Sequence, residues 1–228
     1  VLSTALILYI KEKYPNPQYT YRFVFVPETI GSITYVSTHF KDLTEKVVCG
    51  FNLSCVGDER AYSHVESRLG NNLADRALQA ALIDLDNVVT YSFLERGSDE
   101  RQYCAPGVDL PLCGFSRTKY VEYPEYHTSL DDLTLISPSG LYGGYEKIKK
   151  AIELLEKNNY YKVNVLCEPQ LGKRGLYPTI STKTSGDIVK TMMNFIAYAD
   201  GNNDLIDIAN IIGVQADELF DIVDKMKT

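Results

Sequence analysis

Four clusters of polar residues follow apolar runs, and each combines side chains that move protons or bind cations. In Pro27-Glu28-Thr29-Ile30-Gly31-Ser32, Glu28 comes directly after the run Tyr21–Val26. A carboxylate at a strand end is placed to act as a general base; the plainer reading is a first-turn acid that suits the dipole of a following helix. In Gly57-Asp58-Glu59-Arg60, Asp58 follows the run Val47–Val56 and offers a metal an oxygen donor. The alternative is a turn Asp paired with Arg60. The stretch Gly97-Ser98-Asp99-Glu100-Arg101-Gln102-Tyr103-Cys104-Ala105-Pro106-Gly107-Val108 is dense in charge, as binding loops often are. It reads equally as a solvated connection with local Asp99–Arg101 pairing. In the fourth, Tyr123-Pro124-Glu125-Tyr126-His127-Thr128-Ser129-Leu130-Asp131-Asp132, an imidazole closely precedes carboxylates. One ring nitrogen can bind zinc while a carboxylate orients the other; otherwise His127 is a turn residue and Asp131 a helix cap.

These clusters need strands and helices to hold them. Residues 1–13 read as a helix with Leu2, Leu6, Tyr9 and Ile10 on one face, ended by Pro15 and Pro17. Tyr21–Val26 is β-branched and aromatic, so a buried strand is expected there, followed by a short helix over 31–40. Val47–Val56, Thr90–Leu94, Leu110–Phe115 and Tyr160–Leu166 are further strand candidates. Asn71–Leu85 and Ser139–Lys157 carry helical periodicity. Strands alternating with helices predict an α/β fold with a parallel or mixed sheet, whose strand ends are the natural place for a site. After about residue 180 the pattern changes to three short helices, Asp187–Ala199, Asp204–Ile212 and Ala216–Lys225, in a helix-turn-helix rhythm.

The chain has 228 residues, 45% hydrophobic and 23% charged, which is ordinary globular composition with no run long enough for a membrane span. Net charge is −7, which repels nucleic acid and anionic membrane. From Ser181 onward four lysines (183, 190, 225, 227) face eight acids (187, 200, 204, 207, 217, 218, 221, 224), a poor balance for phosphate binding. The five cysteines are irregularly spaced with no CxxC pair, so neither a zinc ribbon nor a disulfide framework is expected, and a cytoplasmic setting is. Cys104 has no basic neighbour in sequence to activate it. His39 and His64 stand in polar surroundings and read as surface residues. Walker A, GxGxxG, GxSxG and HExxH patterns are absent, which leaves nucleotide cofactors, α/β-hydrolase and zincin chemistry without support.

In order, the clusters resemble the zinc-dependent aminopeptidase family, in particular its branch of polysaccharide-biosynthesis proteins with an aminopeptidase-like domain. Gly97–Tyr103 with Pro106–Pro111 resembles that family's SD-x-x-x-F loop, and Tyr126-His127-Thr128-Ser129-Leu130-Asp131 its YHTxxD motif. Glu168–Pro178 looks characteristic of the branch. The resemblance implies a three-layer α/β/α sandwich of the zinc exopeptidase type over residues 1–179, and a winged-helix-like module over 180–228. It implies Glu28 as general base, Asp58 and His127 as metal ligands, and Asp131 orienting His127. Ser98, Asp99, Glu100 and Tyr103 would line the substrate, and one or two zinc ions would serve as cofactor. Thr29 stands where the family has a second glutamate, which favours one zinc over two. The family's His and bridging Asp would precede residue 1, so the chain is expected to begin just past them and to be short of ligands by itself. The implied function is hydrolysis of an N-terminal peptide bond or a related amide. The substrate would be a small peptide or amide, with no nucleic acid or membrane partner and homo-oligomerisation left open. The alternative is a non-catalytic binding or scaffold protein on the same fold.

Overall fold

The computed structural model describes residues 1–176 and 183–227. The chain divides into two compact units, Val1–Ile152 and Glu153–Thr228. The expected boundary after residue 179, and Tyr177 and Pro178 of the third motif, lie outside the described residues.

The first unit opens with α1 (Leu2–Lys13), whose Leu2, Leu6 and Ile10 recur every four residues and are buried. The run Tyr21–Val26, expected as a buried strand, is not one. Tyr21 and Phe23 pack on the core while Arg22 turns out to Asp42 (2.7 Å) and Tyr35 (3.1 Å). The alternation is that of a strand, but no strand among the described residues lies beside it to complete a ladder. Helix α2 (Ile30–Lys46) runs past the expected end near residue 40. From Ser32 to Lys46 it contains neither Gly nor Pro, and Leu43 extends the buried stripe begun by Ser32 and Val36; only a kink at His39 marks the place.

Four strands follow: β1 (Gly50–Leu53), β2 (Tyr62–Val65), β3 (Val88–Tyr91) and β4 (Leu112–Ser116). They form one mixed sheet in the order β1-β4-β2-β3. β1 is parallel to β4, β2 is parallel to β3, and β2 is antiparallel to β4 with His64 opposite Phe115. Helix α3 (Leu73–Leu82) is started by a capping box in which Asn72 accepts from Ala74 and Asp75 N–H and the Asp75 side chain accepts from Asn72 N–H. The short helix α4 (Glu100–Tyr103) lies in the charged loop, and α5 (Pro138–Lys157) closes the series. Leu6, Leu78, Cys113, Phe115, Ile148 and their neighbours form the core.

The second unit pairs β5 (Tyr160–Lys162) antiparallel with β6 (Asp200–Asp204). It continues through α6 (Lys183–Tyr198), α7 (Leu205–Ile212) and α8 (Phe220–Met226). The three helices expected from sequence are present, and Gly213 ends α7 at φ +73, a conformation that favours glycine.

Candidate functional site

Specific bonds tie the four clusters in two pairs, the second with the fourth and the first with the third. Asp58 is buried, and its carboxylate accepts from Thr118 N–H (2.8 Å), Thr118 Oγ1 (2.5 Å) and Arg60 N–H (3.0 Å). Those bonds fix the loop after β1 against the chain leaving β4. Arg60 then forms a two-pronged pair with Glu125, at 2.8 and 2.7 Å, linking the Asp58 loop to the segment that carries His127. The Arg60 guanidinium holds the Glu125 carboxyl at about 2.

Helix α5 approaches the same loop with a glycine face. A Cβ on Gly140 would stand 2.0 Å from the Gly57 carbonyl oxygen, and one on Gly143 2.5 Å from the Tyr62 hydroxyl. The start of α5 is bonded to Glu59, which accepts from Ser137 and Ser139 hydroxyls.

The Glu28 turn is held from the other side by Asp99, whose Oδ1 accepts from Thr29 N–H (2.7 Å) and Ser32 Oγ (2.9 Å). Arg101 donates to Thr29 Oγ1 at 2.6 Å. Thr29 has φ +63, a left-handed conformation that a β-branched residue keeps only when its surroundings impose it. Glu28 itself is exposed at the apex.

Glu100 holds the Asp99 loop. Its Oε1 accepts from Gly97 N–H, Ser98 N–H and the Tyr120 hydroxyl, and its Oε2 from Asn52 at 2.7 Å. Ser98, Asp99, Glu100 and Tyr103, expected to line substrate, are all buried. Burial, then Asp99, pushes the Tyr103 phenol up to about 12. In this geometry Asp99 and Glu100 position the Glu28 turn and the loop around it.

Cys55 and Tyr123 occupy the ground between the clusters. The Tyr123 hydroxyl lies 3.5 Å from Cys55 Sγ and 3.2 Å from Asp131 Oδ2. Burial raises the Cys55 thiol; the Tyr123 hydrogen bond opposes this, and the charges of Asp131, Asp58 and Glu28 add to it. Glu28, Asp58 and Asp131 therefore share the electrostatic neighbourhood of one thiol. His127 is exposed, has φ +57, and stacks on Tyr126 at 3.9 Å. Tyr126 in turn feels Cys55 and Glu28 after burial, and its phenol is raised. Glu28, Asp58 and Asp131 thus act on one thiol while His127 stands exposed against Tyr126, and no three of the four bring donor atoms within 4.8 Å of one another.

Sequence reasoning missed Cys55, Thr118, Tyr123 and the Arg60–Glu125 pair as parts of this site. Cys55 stands just before Gly57-Asp58, which is the one signal that pointed to it. His64, expected at the surface, is fully buried: it sits on a central strand and its Nε2 lies 3.0 Å from Asp75 Oδ1. Its polar neighbours in sequence, Ser63 and Ser67, are buried as well.

Residues 1–158 match the family described as domain of unknown function (DUF4910). Residues 158–228 match one described as winged helix-turn-helix. A candidate polysaccharide biosynthesis protein with aminopeptidase-like domain, from Clostridium acetobutylicum, is 34% identical over 218 residues, covering 93% of this chain and 50% of that protein. The crystal structure of a candidate peptidase from Clostridium acetobutylicum superposes with a TM-score of 0.84 at 31% identity, over 99% of this chain and 51% of its own. The aminopeptidase from Aneurinibacillus sp. strain AM-1 aligns with a TM-score of 0.46 at 25% identity, over 54% of this chain and 29% of its own. The chain spans about half the length of the Clostridium proteins it matches. Their names agree with the resemblance read from the motifs.

Proposed function

This chain belongs to the family described as domain of unknown function (DUF4910), and from that premise we propose that it carries part of the site of an aminopeptidase-like hydrolase. The bond cleaved is an N-terminal peptide bond or a related amide, and the substrate is a small peptide or an amide on a sugar. The observation that carries this reading is how the segments are held: Asp99 fixes the Glu28 turn, Thr118 fixes the Asp58 loop, and the Arg60–Glu125 pair ties that loop to the segment that carries His127.

Glu28 is the proton carrier. Its carboxylate stands exposed on a turn that Asp99 fixes, so it can take a proton from the attacking water and return it to the leaving amine. Tyr123 is buried and ties Cys55 to Asp131. Asp131 and Tyr126 orient the His127 segment.

Zinc fits these residues poorly on their own. A catalytic zinc takes three protein donors, and this region offers Asp58, already accepting three hydrogen bonds, and His127. Any zinc used in the reaction requires donors from outside these residues. In this proposal the sheet belongs to a three-layer α/β/α sandwich of the zinc exopeptidase type. Residues 158–228 act as a winged-helix-like module for packing or partner contact, in a cytoplasmic protein.

The test is hydrolysis of an aminoacyl and amidated-sugar panel by the longest natural form of the protein, wild type against Glu28→Gln. The expected loss in kcat is about 10²–10⁴-fold with KM little changed, the range for a positioned acid–base group. A wild type inert on the whole panel would overturn the proposal.

One observation favours a second reading, a non-catalytic binding or scaffold protein linked to polysaccharide biosynthesis. Thr29 stands where the resembled family has a glutamate, and its hydroxyl is engaged by Arg101 at 2.6 Å. An inert enzyme that still binds an aminoacyl or amidated sugar would establish that reading.

A further inference from the structure

A second group of metal-binding side chains lies in the core beneath α3, apart from the site above. His64 from β2, Asp75 from α3 and Cys113 from β4 bring an imidazole nitrogen, a carboxylate oxygen and a thiol sulfur within 4.8 Å of one another. All three residues are fully buried. We propose that His64, Asp75 and Cys113 form a site for one zinc-class divalent cation, with the imidazole, carboxylate and thiolate as donors.

Three observations carry this. His64 Nε2 and Asp75 Oδ1 stand 3.0 Å apart. Two donors each ~2.0 Å from a tetrahedral zinc are separated by ~3.3 Å, so this edge is already close to the one a bound ion needs. Secondly, His64 Nδ1 is buried and has no hydrogen-bond partner among the described residues. With Nε2 on the metal, the proton that Nε2 now shares with Asp75 Oδ1 moves to Nδ1, and the ion takes the place of that one hydrogen bond. Thirdly, Asp75 is oriented as a ligating carboxylate is, by outer hydrogen bonds: Oδ2 accepts from Ser67 Oγ (2.5 Å) and Asn72 N–H (3.1 Å), and Oδ1 from Ser67 N–H (2.9 Å).

The charge balance favours the ion. Asp75 and a Cys113 thiolate together neutralise a divalent cation, so a neutral cluster replaces a lone buried carboxylate. Loading breaks the Cys113 S–H bond and forms an S–metal bond, with one proton released to solvent. Imidazole, carboxylate and thiolate together select a borderline metal such as zinc over magnesium or calcium. A cavity of about 220 Å³ is lined by His64 with Gln79, Thr90 and apolar side chains, so an ion in it meets His64 first.

Cobalt(II) is the probe, added to this chain after treatment with a chelator. The expected result is a sulfur-to-cobalt charge-transfer band at one equivalent. It should be lost in Cys113→Ser and kept in Cys104→Ser, Cys55→Ser and His127→Ala. The last two variants separate this site from the one around Glu28, whose failure would leave the band untouched. If Cys113→Ser does not fold, X-ray absorption at the cobalt edge of the wild type decides: one sulfur with nitrogen and oxygen neighbours is expected. A spectrum without sulfur, or a band that persists in folded Cys113→Ser, overturns the proposal.

Discussion

Asp99 shows how one buried carboxylate can fix the turn that carries the proposed proton carrier. Its carboxylate is the bond that keeps Thr29 at φ +63 and so aims Glu28. Asp99→Ala removes two acceptor contacts from a buried position and leaves Thr29 N–H without its partner. The expected cost is ~1–3 kcal/mol, the range for an orphaned buried donor, read as a lower urea midpoint at unchanged slope. Asp75 makes a second prediction at this scale. Burial alone would raise its carboxyl, but the hydrogen bonds from His64 and Ser67 outweigh burial and hold it below the ordinary value of 3.8. A depressed acid contributes stability above its unfolded pKa and loses it as pH falls through the folded one. Unfolding midpoints measured from neutral pH down through the carboxylate range should therefore fall, and the fall should be shallower in Asp75→Asn. An equal slope in both proteins would assign the acid sensitivity to other groups.

At the scale of elements, the same substitution should have opposite signs on two helices. Gly140 in α5 faces the Gly57 carbonyl so closely that a Cβ would lie 2.0 Å from its oxygen. Because that oxygen is backbone, the helix or the Asp58 loop must move, and Gly140→Ala should destabilise by ~3 kcal/mol or more, beyond the usual overpacking cost. Among the described residues nothing lies within 4 Å of where a Cβ on Gly186 in α6 would be, so Gly186→Ala should stabilise by ~0.5–1 kcal/mol. Thermal melts of the two variants beside wild type check both signs. The close approach at Gly140 was not legible in the sequence, because a helical glycine looks the same whether it faces solvent or a backbone oxygen. β2 was missed for a related reason. Tyr62-Ser63-His64-Val65 alternates no apolar pattern, and its polar side chains are buried by partners, Asp75 and the Arg117 carbonyl, that come from far along the chain. Tyr21–Val26 failed in the other direction: strand propensity was strong, but a strand needs a neighbour. Where the signal is local, as in the Asn72–Asp75 capping box or the four-residue spacing of Leu2, Leu6 and Ile10, sequence and structure agree. The site follows the same division. Glu28 and Asp58 were visible as polar residues after apolar runs and His127 as an imidazole ahead of carboxylates, while the bonds that hold their loops depend on distant pairs such as Arg60 and Glu125.

At the scale of the whole molecule, the winged helix-turn-helix match raises the question of nucleic acid, which charge answers. DNA affinity at physiological salt comes largely from lysines and arginines that displace counterions from phosphates. Helix α7, Leu205–Ile212, contains no basic residue. Helix α8 has Lys225 beside Asp221 and Asp224. Asp224 already pairs with Lys157 at 2.9 Å and approaches Lys227 at 4.0 Å, so these cations lean on carboxylates of their own unit. A duplex brought to these helices would meet acids before it met free cations, and the net charge of −7 adds long-range repulsion. The chain is therefore expected to leave the fluorescence anisotropy of a labelled duplex unchanged at micromolar protein, both at low salt and at physiological salt. Binding that weakens steeply as salt rises would mean that phosphates are being neutralised, and the module would then be a nucleic-acid reader after all. Without that slope, the reading of residues 158–228 as a module for packing or partner contact stands as proposed.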